Sequence, residues 1–460
     1  MRLYSKYIIA TAAFLFCHSI CSSVNAQKNA APSWEEIDKR PIPTWFSDAK
    51  FGIFIHWGLY SVPAWATNSN ADGFGSNYAE WYWERLNNKK LKIHKEFTEF
   101  HEKTFGPNFK YTDFASKFSC ELFNPAQWAE LFKNAGAKYV VLTSKHHDGY
   151  ALWPSEQAWN WNSVDNGPGR DLAGELTAAV REKGLKMGFY YSLYEWYNPL
   201  YKRDVDQYVE QHMLPQMKDL VNRYKPDVVW PDGEWEHSDT VWRSREFLNW
   251  LFTQSPVKDS VATNDRWGSG REKGGYNTSE YGSGISGPDK PWEECRGIGE
   301  SFGYNRNENL EQYASSKALI HQLIDIVSRG GNLLLNIGPA ADGTIPVIMQ
   351  QRLMDIGNWL RINGEAIYGT RAWKKAPPKN DSGIYFTQKG KDLYLIATSW
   401  NDEWTISGIN NPSQVKLLGF EGKTDARFSK GKLVIRAPRV TPANNPSEHA
   451  WVFRLTNATN

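Results

Sequence analysis

The 460-residue sequence contains little cysteine and no long apolar run, and each absence excludes a class of protein. Of its four cysteines, Cys17 and Cys21 lie near the N-terminus, and only Cys120 and Cys295 occur farther along the chain. Two cysteines so far apart do not form a disulfide framework, so we expect two buried free thiols, with a single bridge as the alternative. No stretch is apolar over the roughly 20 residues that a membrane span needs, so we expect none.

An excess of one charge is also missing. The formal net charge is +2 and the sequence pI is near 8.1. Lysine and arginine are not clustered as a nucleic-acid surface requires, so we expect no nucleic-acid partner. Internal repeats and low-complexity tracts are absent as well, and at this length the chain exceeds one compact core, which predicts two domains.

Aromatic residues, by contrast, are abundant. They make up 14% of the sequence, and 22 of them are tryptophans. Core packing accounts for most of these side chains but not for the excess. Clefts that bind sugars use tryptophan, because an indole face packs against the C–H face of a pyranose ring.

The N-terminus has the pattern of a signal peptide. Arg2 and Lys6 form a basic region, residues 7–16 are apolar, and small residues precede a cleavage site after Ala26. We therefore predict that residues 1–26 are removed and that the protein is exported in soluble form. It would be periplasmic or secreted, or lysosomal in a eukaryotic source.

Helical segments alternate with short apolar strands through most of the chain. This alternation indicates βα units and a parallel sheet. A loop rich in glycine, serine and asparagine at residues 268–289 interrupts it, either as a lid or as ordinary surface structure. The predicted helices are 124–134, 169–183, 204–224, 241–254, 310–329 and 346–363, and the predicted strands include 139–144, 185–192, 261–264, 291–295 and 331–339.

The pattern changes near residue 370. From Trp373 onward, short segments alternate apolar and polar residues and are separated by turn residues, which is typical of a small antiparallel β-sandwich. The predicted strands of this region are 383–388, 393–399, 415–418, 433–436 and 450–455.

Polar side chains follow several of the predicted strands. The stretch Val228–Trp235 is an apolar strand that ends in Asp232, His56 follows the strand at 51–55, and His146 and His147 follow another. In a (β/α) barrel, polar residues at the carboxyl ends of strands lie at the mouth, where the chemistry occurs. The alternative for Asp232 is a helix cap or a turn.

A metal site is the rival interpretation of the three histidines. Barrel metallohydrolases use a His-x-His pair, because alternate residues of a strand share a face. Here His146 and His147 are adjacent, and His237 and His321 are poorly placed as further ligands. We therefore predict no metal and no cofactor, and interpret the histidines as neutral hydrogen-bonding groups.

These segments together resemble the retaining α-L-fucosidases, glycoside hydrolase family 29. The resemblance covers about residues 34–370 in the right order, with Tyr150 and Pro231 as minor departures. The matching motifs are Ala49–Ala64, Tyr78–Tyr82, Ala135–Gly149, Gly188–Trp196, Val228–Trp235, Asn264–Gly268, Trp292–Glu293 and Gly331–Pro339.

The resemblance implies an α/β fold class. It predicts a (β/α)8-like TIM barrel catalytic domain at 34–370, followed by a C-terminal antiparallel β-sandwich at 373–460. The implied activity is exo-acting hydrolysis of terminal α-L-fucosyl residues from glycans or glycoconjugates, with retention through a covalent fucosyl-enzyme. The alternatives are an α-L-galactosidase or another retaining glycosidase on the same site, a metal-dependent barrel hydrolase, and an inactive sugar-binding relative.

Retaining hydrolysis needs two carboxyl groups about 5–5.5 Å apart, one ionised and one protonated. Asp232 is the predicted nucleophile. Spacing alone does not name the acid/base, because Glu80, Glu195, Glu234, Glu293, Glu294 and Glu300 all follow predicted strands or lie near them. The resemblance assigns this role to Glu293, and Glu294 would then face the other side of its strand.

The resemblance also implies the residues that bind the sugar. Trp230, two residues before Asp232 and on the same face, would supply an apolar contact for the methyl group of a 6-deoxy sugar. The predicted substrate-binding residues are His56, Glu80, Trp81, His146, His147, Tyr191 and Trp230.

Overall fold

A computed structural model describes residues 31–270, 273–282, 290–376 and 382–459. The predicted signal peptide lies outside these residues, as does part of the predicted loop at 268–289. Within the described part of the chain, no helix combines the length and the apolar content that crossing a bilayer requires.

Eight parallel strands curl into the sheet of the first domain, in the order β5-β4-β3-β2-β1-β8-β7-β6. The two edge strands, β5 and β6, meet only at an isolated bridge between Asn264 and Tyr276, which closes the barrel. The predicted barrel fold is therefore confirmed. The strands are β1 Phe51–Ile55, β2 Tyr139–Lys145, β3 Lys186–Ser192, β4 Val228–Asp232, β5 Ala262–Thr263, β6 Asn277–Glu280, β7 Trp292–Gly297 and β8 Asn332–Ile337.

Most of these strands are buried on both faces, as parallel strands covered by helices must be. Every residue of β1, β2, β4 and β8 is buried. This explains why they read as nearly continuous apolar runs. The exception is β6, where all the residues are only half-buried.

Strand β6 is the element that the sequence analysis missed. Its sequence, Asn-Thr-Ser-Glu, has no apolar residue, and it lies within the segment interpreted as a loop. Its backbone is a strand because it pairs in parallel with β7, from Asn277 opposite Trp292 to Glu280 opposite Cys295. A tertiary partner, and not local preference, determines this element.

The helices surround the sheet and begin at recognisable caps. Asn124 caps α5, which has proline at its first position, and Asp171 caps α6. Among the described residues, no helix separates β5 from β6 or β6 from β7. The helices are α1 Trp34–Asp38, α2 Thr44–Ala49, α3 Tyr82–Asn87, α4 His94–Phe105, α5 Pro125–Asn134, α6 Leu172–Glu182, α7 Pro199–Arg203, α8 Val205–Tyr208, α9 Leu214–Tyr224, α10 Ser244–Thr253, α11 Ser316–Ser328 and α12 Val347–Asn363.

The predicted helix at 204–224 is not regular. It consists of α8, a π-helical turn at Val209–Met213, and α9. Such turns often occur at functional sites. Here the turn places His212 against Glu195, with 3.4 Å between His212 Nε2 and a carboxylate oxygen.

The second domain consists of two antiparallel sheets, as predicted. One contains five strands in the order β13-β16-β11-β10-β9, and the other three in the order β12-β15-β14. Strands β12 and β14 were not expected from the sequence. The strands are β9 Arg371–Ala372, β10 Ile384–Lys389, β11 Asp392–Ala397, β12 Glu403–Ser407, β13 Gln414–Leu417, β14 Asp425–Ser429, β15 Lys432–Arg436 and β16 Trp451–Thr456.

The two domains share hydrogen bonds and packing. Trp359 Nε1 of α12 donates to the carbonyl of Ala450 at 3.0 Å, and Thr387 Oγ1 of β10 donates to Ala366 at 2.6 Å. The sandwich thus packs on the side of the barrel formed by α11 and α12. Cys120 and Cys295 are both buried free thiols.

Candidate active site

A cavity of about 740 Å³ opens at the carboxyl ends of the barrel strands, where the sequence analysis expected the site. Polar and aromatic side chains from several strand ends line it. They include His56, Tyr78, Glu80, Trp81, His146, His147, Tyr190, Trp230, Asp232, Glu234, Trp235, Asp265, Arg266 and Glu280.

Asp232 ends β4 and is held by two donors. Arg266 Nη1 donates to Oδ1 at 2.6 Å, and the Tyr190 hydroxyl donates to Oδ2 at 2.8 Å. Burial opposes ionisation, but the charge of the Arg266 guanidinium and the hydrogen bonds from Arg266 and Tyr190 outweigh it and hold the pKa of Asp232 below its ordinary value. The carboxylate is therefore ionised and fixed in orientation.

His56 presents a hydrogen-bond acceptor to the cavity. Its Nδ1 lies 2.7 Å from Asn336 Oδ1, while the amide nitrogen of Asn336 donates to the carbonyl of Phe302. The Asn336 oxygen is therefore the acceptor, and Nδ1 of His56 carries the proton. Nε2 remains as an acceptor, which suits a sugar hydroxyl.

The same argument applies to His147. Ser192 Oγ donates to the carbonyl of Tyr194, so His147 Nδ1, 2.6 Å from that oxygen, is the donor to it. The other nitrogen, Nε2, lies 3.9 Å from Asp232 Oδ2. The acceptor nitrogen of His147 therefore lies next to the Asp232 carboxylate.

All three cavity histidines are neutral near pH 7. Burial lowers the pKa of His56 to about 3 and that of His147 to about 4, and it also lowers that of His146. His146 stacks on Tyr190, with 5.5 Å between ring centroids, and its Nδ1 has no hydrogen-bond partner. Neutral imidazoles match the predicted role of binding hydroxyl groups.

Glu80 and Trp81 lie on a short 3₁₀ turn at one side of the cavity. Glu80 accepts a hydrogen bond from the backbone of Gly303 at 2.8 Å. Burial raises its pKa to about 7. Trp81 packs edge-on against His147, with 5.1 Å between centroids, so this turn forms one wall of the site.

Trp230 forms the floor. Its ring stacks with Tyr190 at a centroid distance of 5.7 Å, and the Arg266 guanidinium lies 4.8 Å above it. This apolar surface lines the same cavity as Asp232. Of the predicted binding residues, the structure brings together His56, Glu80, Trp81, His146, His147 and Trp230.

The prediction for Tyr191 needs correction. Its side chain faces away from the cavity, and its hydroxyl donates to Gln216 Oε1 at 2.7 Å. Tyr190 is the tyrosine that faces the cavity, because it pairs with Trp230 in the register of β3 and β4. Side chains alternate along a strand, so an error of one residue exchanges the two faces.

The prediction for Glu293 also needs correction. Its side chain faces the barrel interior, as expected, but it does not line the cavity and is 0% exposed. It accepts hydrogen bonds from Tyr139 at 2.5 Å and from Trp230 Nε1 at 2.9 Å. Cys295, two residues farther along β7, does line the cavity, so Glu293 lies roughly 7 Å deeper along the strand.

Glu280 is the carboxyl group that the sequence analysis missed. It ends β6 and lines the cavity, with 27% of its side chain exposed. Arg266 Nη2 and the Tyr78 hydroxyl each donate to it at 3.3 Å. Burial raises its pKa, against the opposing charge of Arg266. No hydropathy signal marks this residue, because its strand is polar.

One guanidinium therefore joins two cavity carboxyl groups. Arg266 donates to Asp232 through Nη1 and to Glu280 through Nη2. Both groups consequently lie within reach of a single sugar ring. Their pKa values are displaced in opposite directions, as required of a nucleophile and an acid.

Three of the other glutamates considered for the acid/base role have structural partners. Glu195 pairs with Lys145 at 2.6 Å, Glu294 with Arg296 at 3.0 Å, and Glu300 accepts from Asn77 at 3.0 Å. None of these three lines the cavity. In the described ranges, no three side chains of His, Cys, Asp or Glu converge in an arrangement suited to a metal ion.

Comparisons with known proteins agree with this geometry. The α-L-fucosidase family model matches residues 17–365, and the model of the α-L-fucosidase C-terminal domain matches residues 378–456. The tissue α-L-fucosidase of Homo sapiens is 43% identical over 444 residues, covering 92% of this chain and 91% of its own. The α-L-fucosidase of Dictyostelium discoideum is 43% identical over 449 residues, with coverages of 93% and 95%.

Solved structures are similar over the same extent. The Thermotoga maritima α-fucosidase in complex with fucose is 37% identical, with a TM-score of 0.76, and the alignment covers 92% of this chain and 99% of that one. Its complex with a mechanism-based inhibitor gives 38% identity, a TM-score of 0.77 and the same coverage.

Proposed function

The chain belongs to the α-L-fucosidase family, and from this premise we propose how its residues perform the reaction. It is a glycoside hydrolase that releases α-L-fucosyl residues from fucosylated substrates. The observation that carries the mechanism is the pair of carboxyl groups, Asp232 and Glu280, on one guanidinium in the cavity.

Asp232 is the nucleophile of this mechanism. Its carboxylate attacks the anomeric carbon, the bond from that carbon to the leaving oxygen breaks, and a covalent fucosyl-enzyme forms. Water then attacks the same carbon, the bond from that carbon to the Asp232 carboxylate breaks, and the original configuration is restored. Tyr190 and Arg266 keep the carboxylate ionised and oriented.

Glu280 is the acid and base. In the first step its proton passes to the leaving oxygen, and in the second it takes a proton from the attacking water. Its raised pKa supports the protonated starting state. Glu293 is in this proposal a positioning residue, because its carboxyl group accepts from Trp230 and so orients the floor of the pocket.

The pocket suits one neutral monosaccharide. The acceptor nitrogens of His56 and His147 accept hydrogen bonds from sugar hydroxyl groups. The indole of Trp230 packs against an apolar edge of the sugar ring. The position below the mouth supports cleavage at the non-reducing end of a glycan.

Asp232→Ala tests the nucleophile. We expect turnover of an aryl α-L-fucoside to fall by about 10⁴-fold or more, since the covalent intermediate no longer forms. Azide should fill the vacated space and yield the β-fucosyl azide, of inverted configuration. Proton NMR of the first product of the wild-type enzyme should show the α anomer, and initial release of the β anomer would contradict retention.

Glu280→Ala and Glu293→Ala test the acid. Loss of the acid should reduce the hydrolysis of substrates with poor leaving groups far more than that of activated aryl fucosides. Azide should then accelerate breakdown of the intermediate and give the α-fucosyl azide. We expect this behaviour for Glu280→Ala only. If Glu293→Ala shows it and Glu280→Ala does not, the earlier assignment to Glu293 is correct.

We also propose that the protein is exported after removal of a signal peptide. Arg2, Lys6, the apolar run at 7–16 and the site after Ala26 support removal of a signal peptide. N-terminal sequencing of the mature protein should begin at Gln27. A cytosolic mature chain that retains Met1 would contradict it.

A further inference from the structure

The wall of the cavity above Asp232 contains two residues that the mechanism does not use. After Asp232 the chain turns at Gly233, whose φ is +76°. A Cβ at this glycine would lie 2.7 Å from Tyr194 Cβ, so the close turn requires glycine. It directs Glu234 and Trp235 into the cavity, and exposure rises from 7% at Asp232 to 42% at Trp235.

Two groups of aromatic side chains line the cavity mouth. In the first, Trp235 lies 6.0 Å from Trp81, centroid to centroid. In the second, Phe74 is 73% exposed and packs edge-on against Tyr78 at 5.5 Å and Tyr281 at 6.2 Å. Exposed large apolar side chains that converge on one cavity indicate a binding surface.

Arg85 contacts both groups of aromatic side chains or their immediate neighbours. Its Nη2 donates to the carbonyl of Gly75, next to Phe74, at 3.1 Å, and its guanidinium lies 4.9 Å above the ring of Trp81. The Glu84 carboxylate lies 2.7 Å from Arg85 Nη1 and neutralises the charge of the guanidinium. The mouth is therefore a built feature of the fold, and the charge of Arg85 is already paired.

Glu234 supplies a polar group without a partner. Its Oε2 is buried and has no hydrogen bond within the described residues. The backbone is fixed, because Trp242 Nε1 donates to the Glu234 carbonyl at 3.0 Å. Burial raises the pKa of Glu234 to about 7, and the charge of Asp232 adds to the effect. Oε2 is therefore free to accept a hydrogen bond from a hydroxyl group bound in the cavity.

We propose that Glu234, Trp235, Trp81 and Phe74 form a binding site for the leaving group, and that this site takes an uncharged hexopyranose. The proposal rests on the proposed function, since a fucosyl ring below must occupy the pocket at Asp232. A cavity of about 740 Å³ is the size that holds drug-sized ligands, larger than one monosaccharide.

The chemistry of the four side chains selects this class of leaving group. Indole and phenyl faces pack against the C–H faces of a pyranose ring. A protonated carboxyl group both donates to and accepts from a sugar hydroxyl. An anionic leaving group would be repelled by Asp232, and the two guanidinium groups that line the cavity in the described part of the chain, those of Arg85 and Arg266, are already paired with carboxylates.

Trp235→Ala tests the aromatic part of the site with two substrates that share the fucosyl group. Fucosyl fluoride has no leaving-group ring, whereas a fucosylated neutral disaccharide has one. We expect kcat/KM for the disaccharide to fall about tenfold more than kcat/KM for the fluoride. Trp159→Ala is the matched control, because Trp159 is 81% exposed and lies outside the cavity, and it should change neither value.

Glu234→Leu and Glu234→Gln test the polar part. The leucine variant should lose disaccharide activity about tenfold more than fluoride activity, and the glutamine variant should retain most of both, because an amide also donates and accepts. If Trp235→Ala and Glu234→Leu reduce both substrates equally, the leaving-group site is wrong. If the wild-type enzyme hydrolyses neither fucosyl substrate, the proposed function itself fails.

Discussion

Asp232 at the mouth of the barrel and Glu293 in its middle are buried carboxyl groups in opposite chemical states. Asp232 accepts from the guanidinium of Arg266 and is ionised. Farther down, Glu293 accepts from the neutral donors Tyr139 and Trp230, and burial raises its pKa to about 7. Burial alone favours the neutral acid in both places, and a buried cation reverses it in one.

In our proposal this difference explains why a glutamate that faces the barrel interior is not the acid. Glu293 faces inward, as expected, but it is fully buried. Glu280 lies at the mouth and contacts the same cation as Asp232. Depth in the barrel, together with charge, is what separates the two glutamates in this proposal.

The largest expected effect is on a charged pair at the mouth. Lys145 Nζ and Glu195 are 2.6 Å apart, with 0% and 2% of their side chains exposed. Lys145→Met leaves a buried carboxylate without its cation and should lower the free energy of unfolding by about 3–5 kcal/mol. Chemical denaturation measures this. Lys145→Met with Glu195→Leu should recover much of the loss, and a double variant as unstable as the single one would contradict the ion-pair interpretation.

Arg266→Met should reduce the difference in ionisation between Asp232 at the mouth and Glu293 in the middle of the barrel. Without the cation, kcat/KM for an aryl fucoside should fall by about 10²–10³-fold. The cation holds the pKa of Asp232 down, so its removal raises that pKa and the acidic limb of the pH–rate profile should move to higher pH. Arg243→Met, which removes a surface pair with Glu246, is the control and should keep the wild-type profile. An unshifted acidic limb in Arg266→Met would contradict the role of the guanidinium.

Glu293→Gln should remove a pH dependence of stability. The pKa of Glu293 is about 7 in the folded chain and near 4.5 when unfolded, so between these pH values the folded state holds a proton that the unfolded state has lost. Stability therefore falls as pH rises from about 4.5 to 7, by on the order of 3 kcal/mol.

Denaturation at pH 5 and pH 8 checks this prediction. The glutamine variant keeps the neutral hydrogen bonds and should lose less stability than the wild-type enzyme over that interval. An equal loss in both proteins would mean that Glu293 is ionised in the folded state.

The smallest expected effect concerns packing below the site. A Cβ added at Gly52 would lie 2.5 Å from the ring of Tyr139, the partner of Glu293. Gly52→Ala should therefore lower the free energy of unfolding by about 1–3 kcal/mol. Tyr139→Leu in the same chain should relieve the clash, so the double variant should be more stable than the sum of the single changes predicts. Strict additivity would exclude the contact as the cause.

Local sequence was sufficient for much of the barrel. Runs of apolar residues located β1, β2 and β4, and the polar residues after them, His56 and Asp232, do line the cavity. This succeeded because a buried parallel strand is apolar throughout, and its first polar residue marks the point where the chain reaches the mouth.

The register in which neighbouring strands pair could not be predicted from the sequence. Tyr190 and Tyr191 are chemically alike, and only the register that pairs Tyr190 with Trp230 decides which one faces the cavity. The adjacent residues His146 and His147 both reach the cavity, because they follow Lys145, the last residue of β2, and lie where the chain turns away from the strand. A regular strand would have placed them on opposite faces.

The sequence by itself determined the α/β alternation, the antiparallel second domain and the position of Asp232, because each depends on the order of apolar and polar residues along a short stretch. Only the tertiary structure decided that Asn277–Glu280 is a strand and that Glu280, not Glu293, shares the level of Asp232. Pairing with β7 supplies the hydrogen bonds that the polar segment does not favour alone. The stagger of strands around a closed barrel sets the depth of every side chain, and it is a property of the whole sheet.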